Sequence, residues 1–319
     1  MGWMIAAICG TLTAGAIFWM LRSGWARAIA LDHPNERSLH RQPIPRSGGL
    51  VLILVASLPV FWLGGYTMRI GVLALILMIV SAIDDRIGLP VLARLLAHVA
   101  LASAAAVLIF GTAPWWLLPL AALAIVWGTN AYNFMDGSDG MAGGMAVFGF
   151  AGYALQAGFI GHVSLTVTCA AIAGSAAGFL VFNFAPARVF MGDAGSAPLG
   201  FLAASLGLLG WLSGVWPGWF PLVVFSPFLV DATLTLFARL ASGEKVWRAH
   251  KEHLYQRMVA GGLGHTRTAL VAYGVMAASA GIALLGNWVP GKGAAGVAVA
   301  WLAACVTLYV FWGRQFGRT

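Results

Sequence analysis

Charged residues are scarce in this chain of 319 residues. Asp, Glu, Lys and Arg make up 9% of it and hydrophobic residues 61%, whereas a soluble domain carries about 25% charged residues. A water-soluble fold of this size has too little interior to hide so much apolar surface. A soluble protein is therefore excluded, and lipid must be part of the solvent.

Cysteine is scarce too, and the sequence has no basic stripe with interleaved aromatics. Cys9, Cys169 and Cys305 lie in apolar runs with no metal or disulfide spacing, so we interpret them as packing residues. Without such a stripe, the net charge of +8 does not indicate nucleic acid. The first apolar run lacks a basic leader and precedes Arg22 and Arg27, which predicts an uncleaved anchor with its N-terminus outside.

Long apolar runs fill most of the sequence, and a spanning helix needs about 20 such residues. The candidates are residues 3–21, 48–66, 68–83, 93–110, 114–131, 141–160, 163–183, 197–214, 217–237, 269–288 and 294–312. The third run is the weakest, because Arg69 and Asp84 leave a short core between them, so we expect its helix either to stand nearly upright or to extend past these ends. The sequence thus predicts an all-α polytopic membrane protein, with about 11 transmembrane helices in one integral-membrane domain, 1–319.

The basic residues orient these spans. A periplasmic N-terminus puts six segments and the C-terminus on the cytoplasmic side. These segments are 22–47, 84–92, 132–140, 184–196, 238–268 and 313–319. They hold, with Arg94 just inside the next helix, 16 of the 18 Lys and Arg residues, as the positive-inside rule requires.

The acidic residues show the same asymmetry. Nine of the ten lie in the predicted cytoplasmic segments, and Asp231 lies within the ninth span. The positive-inside rule says little about Asp and Glu, so orientation alone does not explain this. We expect an active site built from the segments 22–47, 84–92, 132–140, 184–196 and 238–268.

Two adjacent carboxylates, Asp84 and Asp85, close the third run. Like charges this close repel each other, and a helix C-terminus disfavours negative charge. We therefore expect a cation or a hydrogen-bonding substrate beside them, with Arg86 as the alternative partner. Two histidines stand alone in the chain and are interpreted as having no function: His98 and His162.

Oxygen-bearing side chains recur at a spacing of three in Asn133, Asp136 and Asp139. A helix would put them on one face, whereas the neighbouring glycines favour a tight loop. Either arrangement brings oxygen ligands together, which suits a hard cation such as Mg²⁺.

A glycine-flanked turn carries Asp193 into the next helix, where free N–H groups favour phosphate, and Asp193 is a candidate metal ligand. The largest loop carries Arg248, His250, Lys251 and His253. No cysteine is near, which disfavours zinc. Such a basic cluster suits an anionic substrate with bound Mg²⁺.

Together these residues resemble the polyprenyl-phosphate N-acetylhexosamine-1-phosphate transferases of glycosyltransferase family 4. The resemblance runs from residue 32 to residue 257 and rests on five motifs in order. These are Pro45-Arg46-Ser47-Gly48-Gly49, Asp84-Asp85, Asn133-x-x-Asp136-Gly137-x-Asp139-Gly140, Phe190-Met191-Gly192-Asp193-x-Gly195-Ser196 and the loop with Arg248, His250, Lys251 and His253, which we call the histidine loop. Each motif is modest alone, but their order on alternate segments of one side is specific.

The resemblance implies a bacterial inner-membrane enzyme that transfers N-acetylhexosamine-1-phosphate from a UDP-sugar to undecaprenyl phosphate and releases UMP. It implies Mg²⁺ as cofactor, with Mn²⁺ as an alternative, and often a homodimer. It places Asp84, Asp85, Asp136 and Asp139 in catalysis; Asn133, Arg46, Arg248, His250, Lys251 and His253 at the substrate or its pyrophosphate; and Asp193 and Asn133 at the metal. The aspartate pair is implied to meet the lipid phosphate, either as a base or as a positioning group. We favour positioning, because a phosphate monoester is already largely ionised at pH 7, with its second pKa near ~6.

The histidine loop separates branches of this family. The peptidoglycan translocase carries three consecutive histidines, whereas this loop reads His250-Lys251-Glu252-His253. We therefore expect the branch that starts O-antigen or another surface glycan, with phospho-MurNAc-pentapeptide transfer as the alternative. Family members also carry a basic residue after the aspartate pair, for which Arg86 and Arg94 are available. Outside the family, a secondary transporter is disfavoured because only Asp231 lies well inside a span, and the donor sugar stays open.

Overall fold

The computed structural model describes residues 1–32, 43–245, 250–291 and 293–317. Its elements are α1 Gly2–Ser23, α2 Trp25–Ile29, β1 Leu31–Asp32, β2 Ile44–Pro45, α3 Gly48–Leu63, α4 Gly65–Ile87, α5 Val91–Phe110, α6 Leu117–Phe134, α7 Met141–Ile160, α8 Val163–Asn183, α9 Asp193–Leu212, α10 Trp219–Val224, α11 Ser226–Ala241, α12 Leu254–Met258, a π-helical turn Val259–Leu263, α13 Gly264–Gly286 and α14 Gly293–Gln315. The predicted all-α architecture is confirmed. The only strands in the described residues are the two-residue β1 and β2, which pair antiparallel.

Within the described residues, nine helices are long and apolar enough to cross a membrane. They include α4, which extends past both ends of its predicted span, as expected. Two predicted spans differ from the structure. The span 48–66 ends early, because α3 stops at Leu63 after 16 residues, or about 24 Å of helix. The span 217–237 is not one helix, since α10 and α11 are separated at Phe225.

The interior of the bundle is formed by α8 and α9, the two spanning helices with the largest buried share. Burial of apolar surface does not drive helices together in lipid, so close packing at small residues stabilises the contacts between helices instead. A β-carbon on Gly174 or Gly178 of α8 would overlap the backbone of α1, so glycine lets these two helices approach. The three cysteines are buried and unpaired, as predicted.

Direct contacts join the six segments predicted to share one side. Asp32 pairs with Arg46 at 3.0 Å beside the short sheet. At the far end of the chain, Arg257 donates to the carbonyl of Gly313 at 3.4 Å. The contacts described below connect the segments between them. We call this end of the bundle the polar end.

Candidate active site

Residues 45–49 and residues 190–195 lie side by side at the polar end. The N–H of Gly48 donates to the carbonyl of Phe190 at 3.0 Å. A β-carbon on Gly49 would overlap the backbone that faces it. Close approach of two backbones therefore explains the glycines of the first motif, which docks the start of α3 against the start of α9.

The adjacent carboxylates Asp84 and Asp85 face different partners. Consecutive helical residues point about 100° apart, so the two side chains on the last turn of α4 diverge. Asp84 accepts hydrogen bonds from the N–H of Leu89 at 2.6 Å and from Arg94 at 3.0 Å. Asp85 accepts instead from the N–H of Ala194 at 3.0 Å. The second aspartate therefore caps α9, while the first lies beside an arginine.

Arginines supply the cation expected beside the pair. Arg94 Nη1, which holds the first carboxylate, also lies 3.6 Å from Asp193 Oδ2. Arg46 Nη1 lies 3.7 Å from Asp85 Oδ1. Arg86, the sequence's alternative partner, is exposed on the helix end. Arg94 and Arg46 thus compensate the pair, and the alternative partner Arg86 points to solvent.

Three of the first backbone N–H groups of α9, which the sequence offered to phosphate, already have partners within the protein. Gly192 turns the chain with φ 71°, and Asp193 is the first helical residue rather than part of a loop. The N–H of Ala194 is taken by Asp85, and the next two N–H groups donate to the carbonyl of Gly192 at 2.9 and 3.0 Å. The half-buried carboxylate of Asp193 instead faces Arg94.

Asn133 interacts with that carboxylate. It lies on the last turn of α6, and its side-chain amide favours the charged form of Asp193. Its Oδ1 accepts a 2.5 Å hydrogen bond from the hydroxyl of Ser196 on α9. An amide oxygen has two lone pairs, so one remains for a ligand.

The rest of the Asn133 motif forms a turn, as its glycines predicted, because α6 ends at Phe134 and α7 begins at Met141. Asp139 accepts a hydrogen bond from the N–H of Ala187 at 3.0 Å, and its Oδ1 lies 3.6 Å from His265 Nδ1. Its carboxylate therefore ties the turn to two neighbouring segments.

Asp136 is half-buried in the same turn. Burial raises the pKa of its carboxyl well above the usual range, the nearby Asp193 raises this pKa further, and Arg46 opposes the change. Asp85 also raises the pKa of Asp136. Burial and mutual repulsion destabilise the negative charges of these carboxylates, and a bound cation would stabilise them.

The histidine loop folds over the end of α6. His253 precedes α12, and its ring stacks on Phe134 with centroids 6.1 Å apart and on Tyr255 at 6.0 Å. The hydroxyl of Tyr255 donates to the carbonyl of Phe134 at 3.1 Å. Lys251 is half-buried, and Arg248 lies outside the described residues.

His250 packs against His253 with ring centroids 4.8 Å apart. Burial, then the nearby His253 and Arg239, lower the pKa of His250 to about 4. His250 is therefore neutral at pH 7, and it does not contribute positive charge to the predicted basic cluster.

A cavity of about 370 Å³ opens between α4, α5, α6, α9 and the histidine loop. It is lined by five of the predicted residues: Asp84, Asn133, Asp193, His250 and His253. Five other predicted residues are not among its described lining: Arg46, Asp85, Asp136, Asp139 and Lys251. The structure therefore divides the predicted site into a cavity wall and a supporting layer.

Sequence reasoning missed five polar residues of the cavity: Ser81, Arg94, His98, Asn130 and Gln256. Arg94 had been noted only as a basic residue after the aspartate pair, and His98 had been given no function. His98 and Asn130 both line the cavity, and the buried Nδ1 of His98 has no hydrogen-bond partner in the described residues. Arg94 and His98 are four residues apart on α5, a spacing that puts them on one helix face. That spacing is the signal that could have found His98.

Comparison with known proteins decides the family. The sequence profile of glycosyl transferase family 4 matches residues 67–210. The chain is 30% identical to a probable undecaprenyl-phosphate N-acetylglucosaminyl 1-phosphate transferase of Bacillus subtilis, over 85% of this chain and 81% of that relative. The chain belongs to the polyprenyl-phosphate N-acetylhexosamine-1-phosphate transferase superfamily.

Other superfamily members match to different extents. A decaprenyl-phosphate N-acetylglucosaminephosphotransferase of Mycolicibacterium smegmatis is 29% identical, over 94% of this chain and 87% of the relative. A phospho-N-acetylmuramoyl-pentapeptide-transferase of Geobacillus thermodenitrificans is 38% identical, but over 42% of this chain and 41% of the relative. Together with the nine long apolar helices of the described residues, these relatives identify a multi-pass membrane protein of a transferase family.

Proposed function

We propose that this protein transfers N-acetylhexosamine-1-phosphate from a UDP-sugar to undecaprenyl phosphate and so starts a lipid-linked surface glycan, of which O-antigen is one example. The observation that carries the proposal is the cavity at the polar end. Carboxylates, amides, imidazoles and one arginine from four helices and a loop line it together. An anionic donor that meets an anionic acceptor needs this mixture of charge neutralisation and positioning.

The relatives support N-acetylglucosamine as the sugar. Two relatives that align with most of this chain are named as N-acetylglucosamine-1-phosphate or N-acetylglucosamine-phosphate transferases. The distribution of Lys and Arg supports a polar end that faces the cytoplasm of a bacterial inner membrane. UDP-GlcNAc is therefore the first donor to test.

The reaction needs little acid–base chemistry from the protein. An oxygen of the lipid phosphate attacks the β-phosphorus of the donor, the bond from that phosphorus to UMP breaks, and a polyprenyl diphosphate-sugar forms. Asp84 and Arg94 are adjacent in the cavity wall, where Arg94 can bind a phosphate and Asp84 can hold Arg94 in place. Asp85 supports this wall through the start of α9.

The residues fit a divalent cation. Four carboxylates, Asp84, Asp85, Asp136 and Asp193, interact in this region with the guanidinium groups of two arginines. No three His, Cys, Asp or Glu side chains of the described residues converge as a ready-made metal site. Mg²⁺ uses one or two carboxylates together with substrate phosphates, so it does not need such a site. Asp193 and Asn133 would hold Mg²⁺, which would neutralise pyrophosphate charge.

A transporter would need a polar path through the membrane. Asp231, the acid placed inside a span, instead accepts hydrogen bonds from Leu254, Tyr255 and Thr235. Its carboxylate is thereby occupied by the histidine loop and by its own helix. This local use favours an enzyme over a transporter.

The test is UMP release by purified protein with undecaprenyl phosphate and Mg²⁺ against a panel of UDP-sugars, including UDP-MurNAc-pentapeptide. We expect turnover with UDP-GlcNAc or a related N-acetylhexosamine. Asp193→Asn should reduce kcat by roughly 100-fold or more, in line with the loss of one key electrostatic group. Absence of UMP with every donor would overturn the proposal, and turnover only with the pentapeptide donor would move the protein to the translocase branch.

A further inference from the structure

Asp231 is a buried carboxylate that the proposed reaction does not use directly. It lies on α11, with 6% of its surface exposed, and it is not among the residues that line the transfer cavity. A buried charge is costly unless hydrogen bonds or partners compensate it. The partners of Asp231 therefore indicate what its charge stabilises.

Those partners are the first residues of α12. Asp231 Oδ1 accepts from the N–H of Leu254 at 2.9 Å, and Oδ2 accepts from the N–H of Tyr255 at 3.2 Å. A carboxylate is favoured at a helix N-terminus. The hydroxyl of Thr235 also donates to Oδ1 at 3.0 Å. One side chain thus fixes where the histidine loop begins its helix.

Asp231 Oδ1 also faces the imidazole ring of His253. His253 Nδ1 lies 3.4 Å from Asp231 Oδ1. The rings of Phe134 and Tyr255 both stack on the imidazole and restrict its tilt. With Nδ1 turned toward Asp231, the Nε2 side of the ring points away from this carboxylate. The ring also lines the transfer cavity, so its Nε2 edge is the one left for a ligand.

We propose that Asp231 is a positioning residue that acts through His253, by fixing the ring so that its Nε2 edge faces the diphosphate of the UDP-sugar. The inference rests on the proposed function for the identity of the ligand. This positioning needs both carboxylate oxygens of Asp231. The amide of an asparagine would instead turn its NH₂ group toward the N–H of Leu254 or of Tyr255. Asp231→Asn keeps the volume and is therefore the informative change.

The kinetic test combines Asp231→Asn, His253→Ala and the double variant in the UMP-release assay. We expect Asp231→Asn alone to lower kcat/KM for the UDP-sugar about 10- to 100-fold, as loss of a positioning partner commonly does. In the His253→Ala background the same change should cost less than about threefold, because residues that act as a unit are not additive. Thr235→Val removes one hydrogen bond to Asp231 and serves as the matched control, with an expected loss below about threefold.

A second measurement does not depend on activity. Amide exchange at Leu254 and Tyr255, and carbethoxylation of His253 relative to His162, should both rise at least about threefold in Asp231→Asn and stay unchanged in Thr235→Val. Equal losses of kcat/KM in the wild-type and His253→Ala backgrounds would overturn the proposal. Unchanged amide exchange and carbethoxylation would overturn it as well. If the wild type released no UMP from any donor, the proposed function would fail, while amide exchange and carbethoxylation would still decide whether Asp231 holds His253.

Discussion

Replacing Asp85 with asparagine separates a structural aspartate from a reacting one. Its carboxylate caps α9 through the N–H of Ala194 at 3.0 Å and lies 3.7 Å from Arg46. Asparagine keeps the size of the side chain and one acceptor oxygen, but it removes the charge. The variant therefore tests whether the second acid of the pair stabilises the start of α9.

The magnitude follows from the contacts. Negative charge at a helix N-terminus contributes about 0.3–2 kcal/mol, and a pair with the half-exposed Arg46 adds about 0–1 kcal/mol. Relief of the burial cost of this carboxylate and of its repulsion from Asp193 and Asp136 acts in the opposite direction. These opposing contributions are of similar size, so we expect Asp85→Asn to change the free energy of unfolding by no more than about 1 kcal/mol. At about 2–4 °C per kcal/mol for chains of 150–250 residues, the apparent Tm should shift by less than roughly 4 °C.

The assay is thermal unfolding in detergent, with amide exchange at Ala194 and UMP release on the same samples. Asp84→Asn is the matched control, because it removes the neighbouring charge without touching α9. We expect Asp85→Asn to keep its apparent Tm within roughly 4 °C of the wild type, to increase exchange at Ala194 and to keep part of its turnover. Asp84→Asn should keep exchange at Ala194 and lose most turnover. An Asp85→Asn protein with unchanged exchange at Ala194 and no turnover at any pH would refute the reasoning and favour Asp85 as a base.

Three further outcomes are expected. Gly49→Ala should reduce the yield of folded protein severalfold in fluorescence-detected size exclusion, because the added methyl group overlaps the facing backbone. Gly281→Ala, where the methyl group meets nothing within 4 Å, should not reduce this yield. Equal yields of the two variants would contradict the packing argument. Arg94→Gln should lower kcat/KM for the UDP-sugar about 10- to 100-fold, since it removes the cation between two carboxylates, and unchanged kinetics would exclude Arg94 from the site. The pKa of His250 is about 4, below its unfolded value near ~6.5, so falling pH protonates the unfolded chain first and stability is lost between these values. His250→Gln should therefore lose less apparent Tm between pH 7.5 and pH 5 than the wild type, and an equal loss would contradict a neutral His250.

The motifs were readable because each is a local feature. The glycines beside Asp136 and Asp139 favoured a turn over a helix, and that turn is present. The different roles of Asn133, Asp136 and Asp139 could not be predicted from the sequence. Asp139 binds Ala187 and faces His265, and neither partner is near it in sequence. A one-sequence pattern cannot tell a ligand from a residue that ties two segments together.

The different roles of Asp84 and Asp85 could not be predicted from the sequence either. Adjacent acids look equivalent in sequence, but the 100° turn between consecutive helical residues sends Asp84 toward the cavity and Asp85 toward α9. His98 shows the converse, since an isolated histidine gains a place in the site only when α5 packs beside α6. Which side of a helix faces a cavity depends on its neighbours.

The sequence by itself determined that this is an all-α membrane protein, that it belongs to a recognisable transferase family and that its acids and bases gather on one set of segments. Those properties follow from hydropathy and charge, which act over a few residues, and from the need of a backbone in lipid to satisfy its own hydrogen bonds. Only the tertiary structure decided that α10 and α11 are separate, that Asp85 caps α9 and that Asp231 holds His253. Such contacts join segments tens to more than a hundred residues apart, so they exist only once the helices have packed.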